Sequence, residues 1–399
     1  MAPDILSRRT ILFVNIAHAL DHFVLLIYPT AVLAMAPELG LTYAALIGLS
    51  TGTFVAFGLF SLPMGWLAER WGRRTLLAAF FGGCGLSLLG LATASAPVVI
   101  AGWLLVLGLF SAIYHPIGSA LLVSHARRLG RDLGWNGVWG NLGAGLASGL
   151  TALTAAWLGW RAAFAVPGLA CLAAGAAFLA LVPAGGEGHG KAKDGTPTIP
   201  VANPLRLLAL FAVAIVAGGM TFNVTTIALP KVLDERLGMA LPLALTGTLA
   251  TLVFVFGALT QLLMGRLVDR FPLPVVFAGL ALLQPVGLGL AAASTGFPLL
   301  VGLVLAMAAI YGQVVVNDAM VARYVPPRLR AKAFSVRYFL GFTTSGLAVP
   351  LIALLHGWGG FEAVLGVSAL FGGLVSACAA GFVLATSGRA ARAGVAPAE

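Results

Sequence analysis

From Pro97 to Val123 the chain runs without one aspartate, glutamate, lysine or arginine, and from Leu273 to Asn317 it does so again. Runs of this kind recur along the whole chain, each about 20 residues or longer and each closed by a short polar break. A helix of that length matches the hydrocarbon core of a bilayer. Backbone amides in hydrocarbon find no water, so a spanning segment must bond them internally, as helices and closed barrels do. Barrel strands alternate over about 10 residues, whereas these runs are longer and evenly apolar. Composition agrees: 60% of the 399 residues are hydrophobic and 9% are charged, against about 25% charged in soluble domains. The expected class is an all-α membrane protein, with the lipid bilayer as its first partner.

Apolar runs set against polar breaks predict twelve spans, at 10–35, 43–66, 74–95, 97–123, 133–157, 161–183, 205–231, 240–264, 273–293, 297–322, 331–356 and 360–386. The first is too long for a signal-peptide core and is expected to be retained. An even number puts both termini on one side. The longest polar break, "PAGGEGHGKAKDGTPTIP" from Pro183 to Pro200, reads as a flexible linker. The predicted organisation is an N-terminal six-helix bundle (1–183), a linker (184–204), and a C-terminal six-helix bundle with a short tail (205–399). Of 23 lysines and arginines, only Arg161, Lys231 and Arg236 fall on the side away from the termini. The positive-inside rule makes the termini and the linker cytoplasmic, with a bacterial inner membrane as the expected location. The net charge of +10 is thus topological, and no nucleic-acid partner is expected. Cys84, Cys171 and Cys378 each lie inside a span and read as packing residues, without metal spacing.

The halves echo each other at a spacing close to 200 residues. "GWLAERWG" from Gly65 is matched by "GRLVDRFP" from Gly265, and "IYP" at Ile27 by "ALP" at Ala228. "SAIYHP" from Ser111 is matched by "AAIYGQ" from Ala308, and "GLA" at Gly145 by "GLA" at Gly346. Internal duplication is a signature of transporters whose site lies between repeats near the midplane.

The loop "GWLAERWGRRTLL", Gly65 to Leu77, is informative residue by residue. Gly65 is expected to let two helices approach closely. Gly72 permits a tight turn, and Arg70, Arg73 and Arg74 hold the loop at an anionic leaflet. As a string it resembles the loop signature of the major facilitator superfamily, with a degenerate copy in the second half. Glu69 stands where that family usually has aspartate. The resemblance covers the whole chain. It implies two bundles rocking about a central site, with Gly65, Glu69, Arg70, Gly72, Arg73 and Arg74 as gating residues. Gly265, Asp269 and Arg270 would be their second-half counterparts. "HALDHFVLLIYP", "SAIYHPIGSA" and "NGVWGNLGAGLA" resemble, more narrowly, the fosmidomycin-resistance branch, which exports small molecules by proton exchange.

"HALDH", His18 to His22, places three ionisable groups inside the first span. An aspartate at a helix centre costs about 2.5–3.5 kcal/mol on translocon scales, so it is a functional candidate by default. His18, Asp21 and His22 stand at i, i+3 and i+4 and share one face. Asp21 is expected to be a proton-binding carboxylate, with His18 and His22 as partner or relay. The alternative is a carboxylate bonded permanently to a histidine, orienting helices without titrating. His115 precedes Pro116, which is expected to bend the fourth span. The superfamily resemblance lets spans 1, 4, 7 and 10 line the central cavity and so brings His115 toward Asp21; otherwise it caps a freed carbonyl.

Candidate cavity residues are Tyr28, Tyr114, Asn141, Asn223, Gln284, Tyr311, Gln313 and Asn317. Asp318, near the cytoplasmic end of span 10, is expected to pair with Arg337 in span 11, as a gate or as a static ion pair. Span 4 lacks the buried arginine and span 5 the proline that many drug–proton antiporters of the superfamily carry. No glycine loop followed by lysine and serine or threonine is present for ATP, and no nucleophile–base set suggests hydrolysis. No enzyme activity, cofactor or resident metal is expected. The leading expectation is a monomeric secondary transporter coupling protons to efflux of a small organic molecule. The alternatives are a transition-metal transporter that uses the span-1 His/Asp cluster (His18, Asp21 and His22) with His115, and a non-transporting sensor on a transporter scaffold. The topology predicts that a fluorescent protein fused after Glu399 will fluoresce in intact cells and that alkaline phosphatase fused there will stay inactive. The reverse pair of results overturns the orientation.

Overall fold

The computed structural model describes residues 3–126, 129–183, 199, 203–238 and 240–390, and these are helical apart from short connections. In chain order the helices are α1 (Pro3–Leu39), α2 (Tyr43–Leu49), α3 (Thr51–Phe60), α4 (Met64–Trp71), α5 (Arg73–Thr93), α6 (Pro97–Ser111) and α7 (Tyr114–His125). They continue as α8 (Leu129–Leu158), α9 (Trp160–Leu181), α10 (Pro204–Arg236), α11 (Leu243–Arg270), α12 (Leu273–Ala293), α13 (Gly296–Tyr324) and α14 (Pro327–Ala390). Ten of these stretches are long and apolar enough to cross a membrane. The 64-residue α14 breaks its helical geometry at Gly359 and Gly360, where φ is +61° at the second glycine, and so supplies two spans. With the 30-residue α8, the twelve expected spans are all present as helix.

The breaks within spans have local causes. The second span is divided where Ser50 and Ser61 turn their hydroxyls onto the carbonyls of Ile47 and Gly58, each at 2.7 Å. Pro63, which has no N–H to give, precedes α4. The fourth span stops at Ala112–Ile113 and resumes at Tyr114. Pro116 explains this, because its ring excludes the carbonyl four residues earlier, at Ala112. The expected bend is a local break in the hydrogen-bond ladder, with Ala112 and Ile113 still in right-handed helical geometry, and it puts His115 in the first turn of α7. Gly72, at φ +79°, turns α4 into α5.

The described residues pack as two compact units. One is drawn from within Met1–Lys193, Ile227–Val255 and Ser345–Gly357; the other from within Asp194–Thr226, Phe256–Thr344 and Trp358–Glu399. The partition cuts through α10, α11 and α14 instead of falling at the linker. In the first unit, α1 lies along α8, α7 and α9, while α5 lies along α9 and α6. Phe13, Phe81 and Phe178 form an aromatic seam with ring centroids 5.5–6.0 Å apart. Glycines let the backbones meet. A Cβ on Gly143 would strike the Ala19 carbonyl, and one on Gly108 would strike that of Thr53. Gly247 packs against Ser148 and Ala152, and the Gly149 N–H donates to Thr251 Oγ1 at 2.9 Å. In the second unit, Gly287 of α12 and Gly302 of α13 face each other reciprocally. Phe211, Phe277, Met320 and Phe382 are among the side chains of its core.

Gly65 and Gly265 do not follow the expected pattern. Nothing lies within 4 Å of where a Cβ would stand at either position, so neither serves a close helix approach in this conformation. Overpacking costs typically about 1–3 kcal/mol. Gly143→Ala and Gly302→Ala are therefore expected to lower the thermal midpoint of the purified protein in detergent, whereas Gly65→Ala leaves it unchanged or higher. Equal midpoints for all three would refute this account of the packing.

Candidate functional site

The expected face of α1 exists, and α7 completes it. Asp21 is fully buried, and its Oδ2 lies 3.3 Å from His115 Nε2. Neither carboxylate oxygen has a hydrogen-bond donor in good geometry among the described residues. His22 Nε2 lies 3.2 Å from His18 Nε2, and His18 Nδ1 lies 2.7 Å from the backbone carbonyl of Asn136 on α8. A carbonyl only accepts, so His18 Nδ1 carries its proton and Nε2 presents a lone pair to the His22 Nε2–H. The three imidazoles form a tight group, with ring centroids 4.9, 5.5 and 5.6 Å apart.

Neighbouring helices hold these rings. Tyr114 stacks on His18 at 4.8 Å with the planes 25° apart, and Phe57 lies 6.0 Å from His115. A Cβ on Gly140 would stand 2.6 Å from His18 Cε1 and Nε2. The glycine-rich string of span 5 thus has a second use: besides close backbone contact at Gly143, it opens the space that the imidazole fills.

Asn15 and Asn136 belong to this site and escaped the sequence reading. Asn136 Nδ2 donates to Asn15 Oδ1 at 2.9 Å, and the Tyr114 hydroxyl lies within 3.2 Å of the Asn136 amide. The amide stood in the string "NGVWGNLGAGLA" already singled out, as a polar group inside an apolar run. Tyr28 is buried and donates its hydroxyl to the Leu46 carbonyl at 2.7 Å, joining α1 to α2. Asn141 sits partly exposed on α8.

In the second unit, Thr221 Oγ1 donates to Gln284 Oε1 at 3.0 Å, and Gln284 Nε2 donates to Gln313 Oε1. Asn223 is in a separate group, donating to Thr344 Oγ1 at 3.0 Å and to the Gly219 carbonyl at 2.8 Å. Tyr311 packs on Phe222 with centroids 5.5 Å apart. The Gln313 amide nitrogen and the Asn317 amide oxygen have no partner among the described residues. Thr221 and Thr344 went unnoticed because single threonines in apolar helices usually bond their own backbone.

The charged loop residues divide by role. Glu69 and Arg70 are exposed at the end of α4, with Arg70 over the Trp66 ring at 5.8 Å, and Arg73 opens α5. Arg74 caps the C-terminus of α9, donating to the Leu179 and Val182 carbonyls at 2.8 and 2.5 Å. Asp269 pairs with Arg323 at 3.7 Å, while Arg270 ends α11 exposed. Asp318 and Arg337 form the expected pair, at 2.5 Å, and Arg337 also donates to the Val314 carbonyl at 3.3 Å.

A further charged group, within the first unit, had no counterpart in the sequence reading. Glu235 receives Lys231 at 3.3 Å and His356 at 3.2 Å, and the His356 ring packs on Tyr43 at 4.9 Å. The spacing of Lys231 and Glu235 was readable in "KVLDER"; their approach to His356, 121 residues away, was not.

A sequence model described as Major Facilitator Superfamily matches residues 11–247 and 211–398. No curated protein matches the chain significantly. Among solved structures, the chain is similar to a bacterial homolog of the human lysosomal transporter Spinster in an inward-facing, occupied conformation. That likeness has a TM-score of 0.72 and 15% identity, and covers 97% of this chain and 98% of that one. It is also similar to a D-xylose–proton symporter, with a TM-score of 0.71 and 14% identity over 93% of this chain and 96% of the other. At these identities the likeness carries the fold alone.

Removing one partner of a buried polar network leaves the others unsatisfied, at about 1–3 kcal/mol. Asn136→Ala is therefore expected to lower the thermal midpoint clearly, and partly exposed Asn141→Ala much less. Equal shifts would show that the Asn15–Asn136–Tyr114 network contributes nothing to stability.

Proposed function

Because the chain belongs to the major facilitator superfamily, we propose that it is a secondary active transporter that exports a small organic molecule in exchange for protons. The observation that carries this reading is the Asp21–His115 pair, a carboxylate at zero exposure with one imidazole beside it and, among the described residues, no hydrogen-bond donor of good geometry. Such a pair has two favourable states in an apolar setting. In one the proton is on Asp21 beside a neutral His115; in the other it is on His115 beside an ionised Asp21. Losing that proton leaves a buried, uncompensated carboxylate, which costs several kcal/mol. The cost favours a conformation that admits water, and this couples proton loss to movement of the bundles.

In this reading His22 and His18 lead from the pair toward Asn136, forming a short relay whose last proton is held on a carbonyl. Gln284, Gln313, Asn317, Asn223, Tyr311 and Asn141 are the candidates to offer donors and acceptors to a cargo, whereas the Tyr28 and Tyr114 hydroxyls are engaged with Leu46 and Asn136. In this reading 1–183 and 205–399 act as two six-helix bundles that alternate between two arrangements during transport, with both termini cytoplasmic and the chain monomeric in a bacterial inner membrane. Glu69, Arg70, Arg73, Asp269, Arg270 and the Asp318–Arg337 pair act at the cytoplasmic side. The Tyr43–Lys231–Glu235–His356 group acts at the opposite side. The strings "HALDHFVLLIYP" and "SAIYHPIGSA" support placement in the fosmidomycin-resistance branch, and one structural neighbour is itself a proton symporter.

Everted vesicles with an imposed pH gradient test the proposal, with fosmidomycin as the first probe. Adding the probe should dissipate the gradient through the wild type and not through Asp21→Asn, while Asp21→Asn retains gradient-independent exchange of the labelled probe. Equal dissipation by both proteins would remove Asp21 from the coupling role.

A further inference from the structure

We infer that His18, His22 and His115 form a binding site for one divalent transition-metal ion, of the zinc, nickel or cobalt class. The three rings each offer one nitrogen, and these nitrogens lie within 4.8 Å of one another. Two of them, His18 Nε2 and His22 Nε2, are 3.2 Å apart. Tetrahedral zinc with bonds of about 2.0–2.1 Å to imidazole needs ligand nitrogens about 3.4 Å apart. The pair on α1 already has that spacing; on binding, the ion takes the place of the His22 Nε2 proton, which moves to Nδ1 or to water, and the third ring closes in. Histidines one helical turn apart are a recurrent two-ligand unit, and His115 adds a third from α7.

The surroundings support a metal site in two further ways. A metal-bound histidine usually gives its other ring N–H to a carbonyl or carboxylate, which fixes the tautomer and aims the lone pair. His18 does this, with Nδ1 on the Asn136 carbonyl at 2.7 Å, leaving Nε2 directed at His22. His115 has the carboxylate of Asp21 at 3.3 Å, which also offsets one of the ion's two charges within an apolar bundle. All three histidines keep some exposed surface. Three nitrogens and no thiolate favour zinc, nickel or cobalt over the hard cations, which prefer oxygen.

The site requires neither cargo nor gradient, so it stands or falls apart from the proposed coupling. Zinc chloride is titrated calorimetrically into the purified full-length chain in detergent. One ion per chain is expected. Affinity should fall at least about tenfold in His22→Ala and in His115→Ala, and about 10–100-fold in Asp21→Asn, while His356→Ala binds as the wild type does. A footprint of the wild type with diethylpyrocarbonate needs no variant to fold: zinc should protect His18, His22 and His115 and leave the reactivity of His356 unchanged. Absence of wild-type binding, unchanged binding in the His22 and His115 variants, or protection confined to other histidines overturns the inference.

Discussion

Hydrocarbon offers no hydrogen bonds, and most of this molecule follows from that one constraint. It makes the backbone helical wherever the chain is apolar, and it leaves each polar side chain inside a span needing a protein partner. His18 meets the requirement through the Asn136 carbonyl, and Thr221, Gln284 and Gln313 through one another, while Asp21 has His115 beside it at 3.3 Å. Polar residues that look isolated along the chain therefore meet in space, because burial without a partner costs more than ordering the helices that supply one. The exceptions are informative for the same reason. Among the described residues, both Asp21 carboxylate oxygens and the amide atoms of Gln313 and Asn317 are some of the buried polar atoms left without a hydrogen-bond partner.

Glycine is the second device, and it acts where helices must touch. With lipid outside and apolar side chains inside, helix association relies on close packing instead of a hydrophobic gain. Gly143, Gly108, Gly287 and Gly302 let backbones meet directly, whereas Gly140 admits an imidazole. The glycines of the repeated loop motif are different. Gly72 is there for its positive φ, while Gly65 and Gly265 face open space. Glycines of one motif thus stand in two different settings, a positive φ at Gly72 and open space at Gly65 and Gly265, and their letters do not distinguish them. Arg74 makes the same point, since an arginine of a gating signature here caps a neighbouring helix.

The compact units also qualify a view of the chain as two halves. Stretches 227–255 and 345–357, from the second half of the sequence, pack within the first unit. They bring Glu235, Lys231 and His356 to Tyr43, and Thr251 to Gly149. The motif echoes relate the two halves in sequence, while close contacts such as Gly247 on Ser148 and Ala152 join stretches from both halves within one unit.

The span pattern, the shared face of His18, Asp21 and His22, and the reach of Asp318 toward Arg337 were all legible in the sequence, because each depends on periodicity or on neighbouring helices. Apolar run length determines that a helix spans, and the 3.6-residue repeat determines which of its residues stand together. Tertiary structure alone decided that Asn136 and Asn15 support the histidines, that Tyr28 is spent on Leu46, and that His356 joins Glu235. Those pairings link residues from 18 to 121 positions apart. A hydrogen bond between distant helices is set by how deeply and at what rotation they pack, and no local pattern in either helix encodes that.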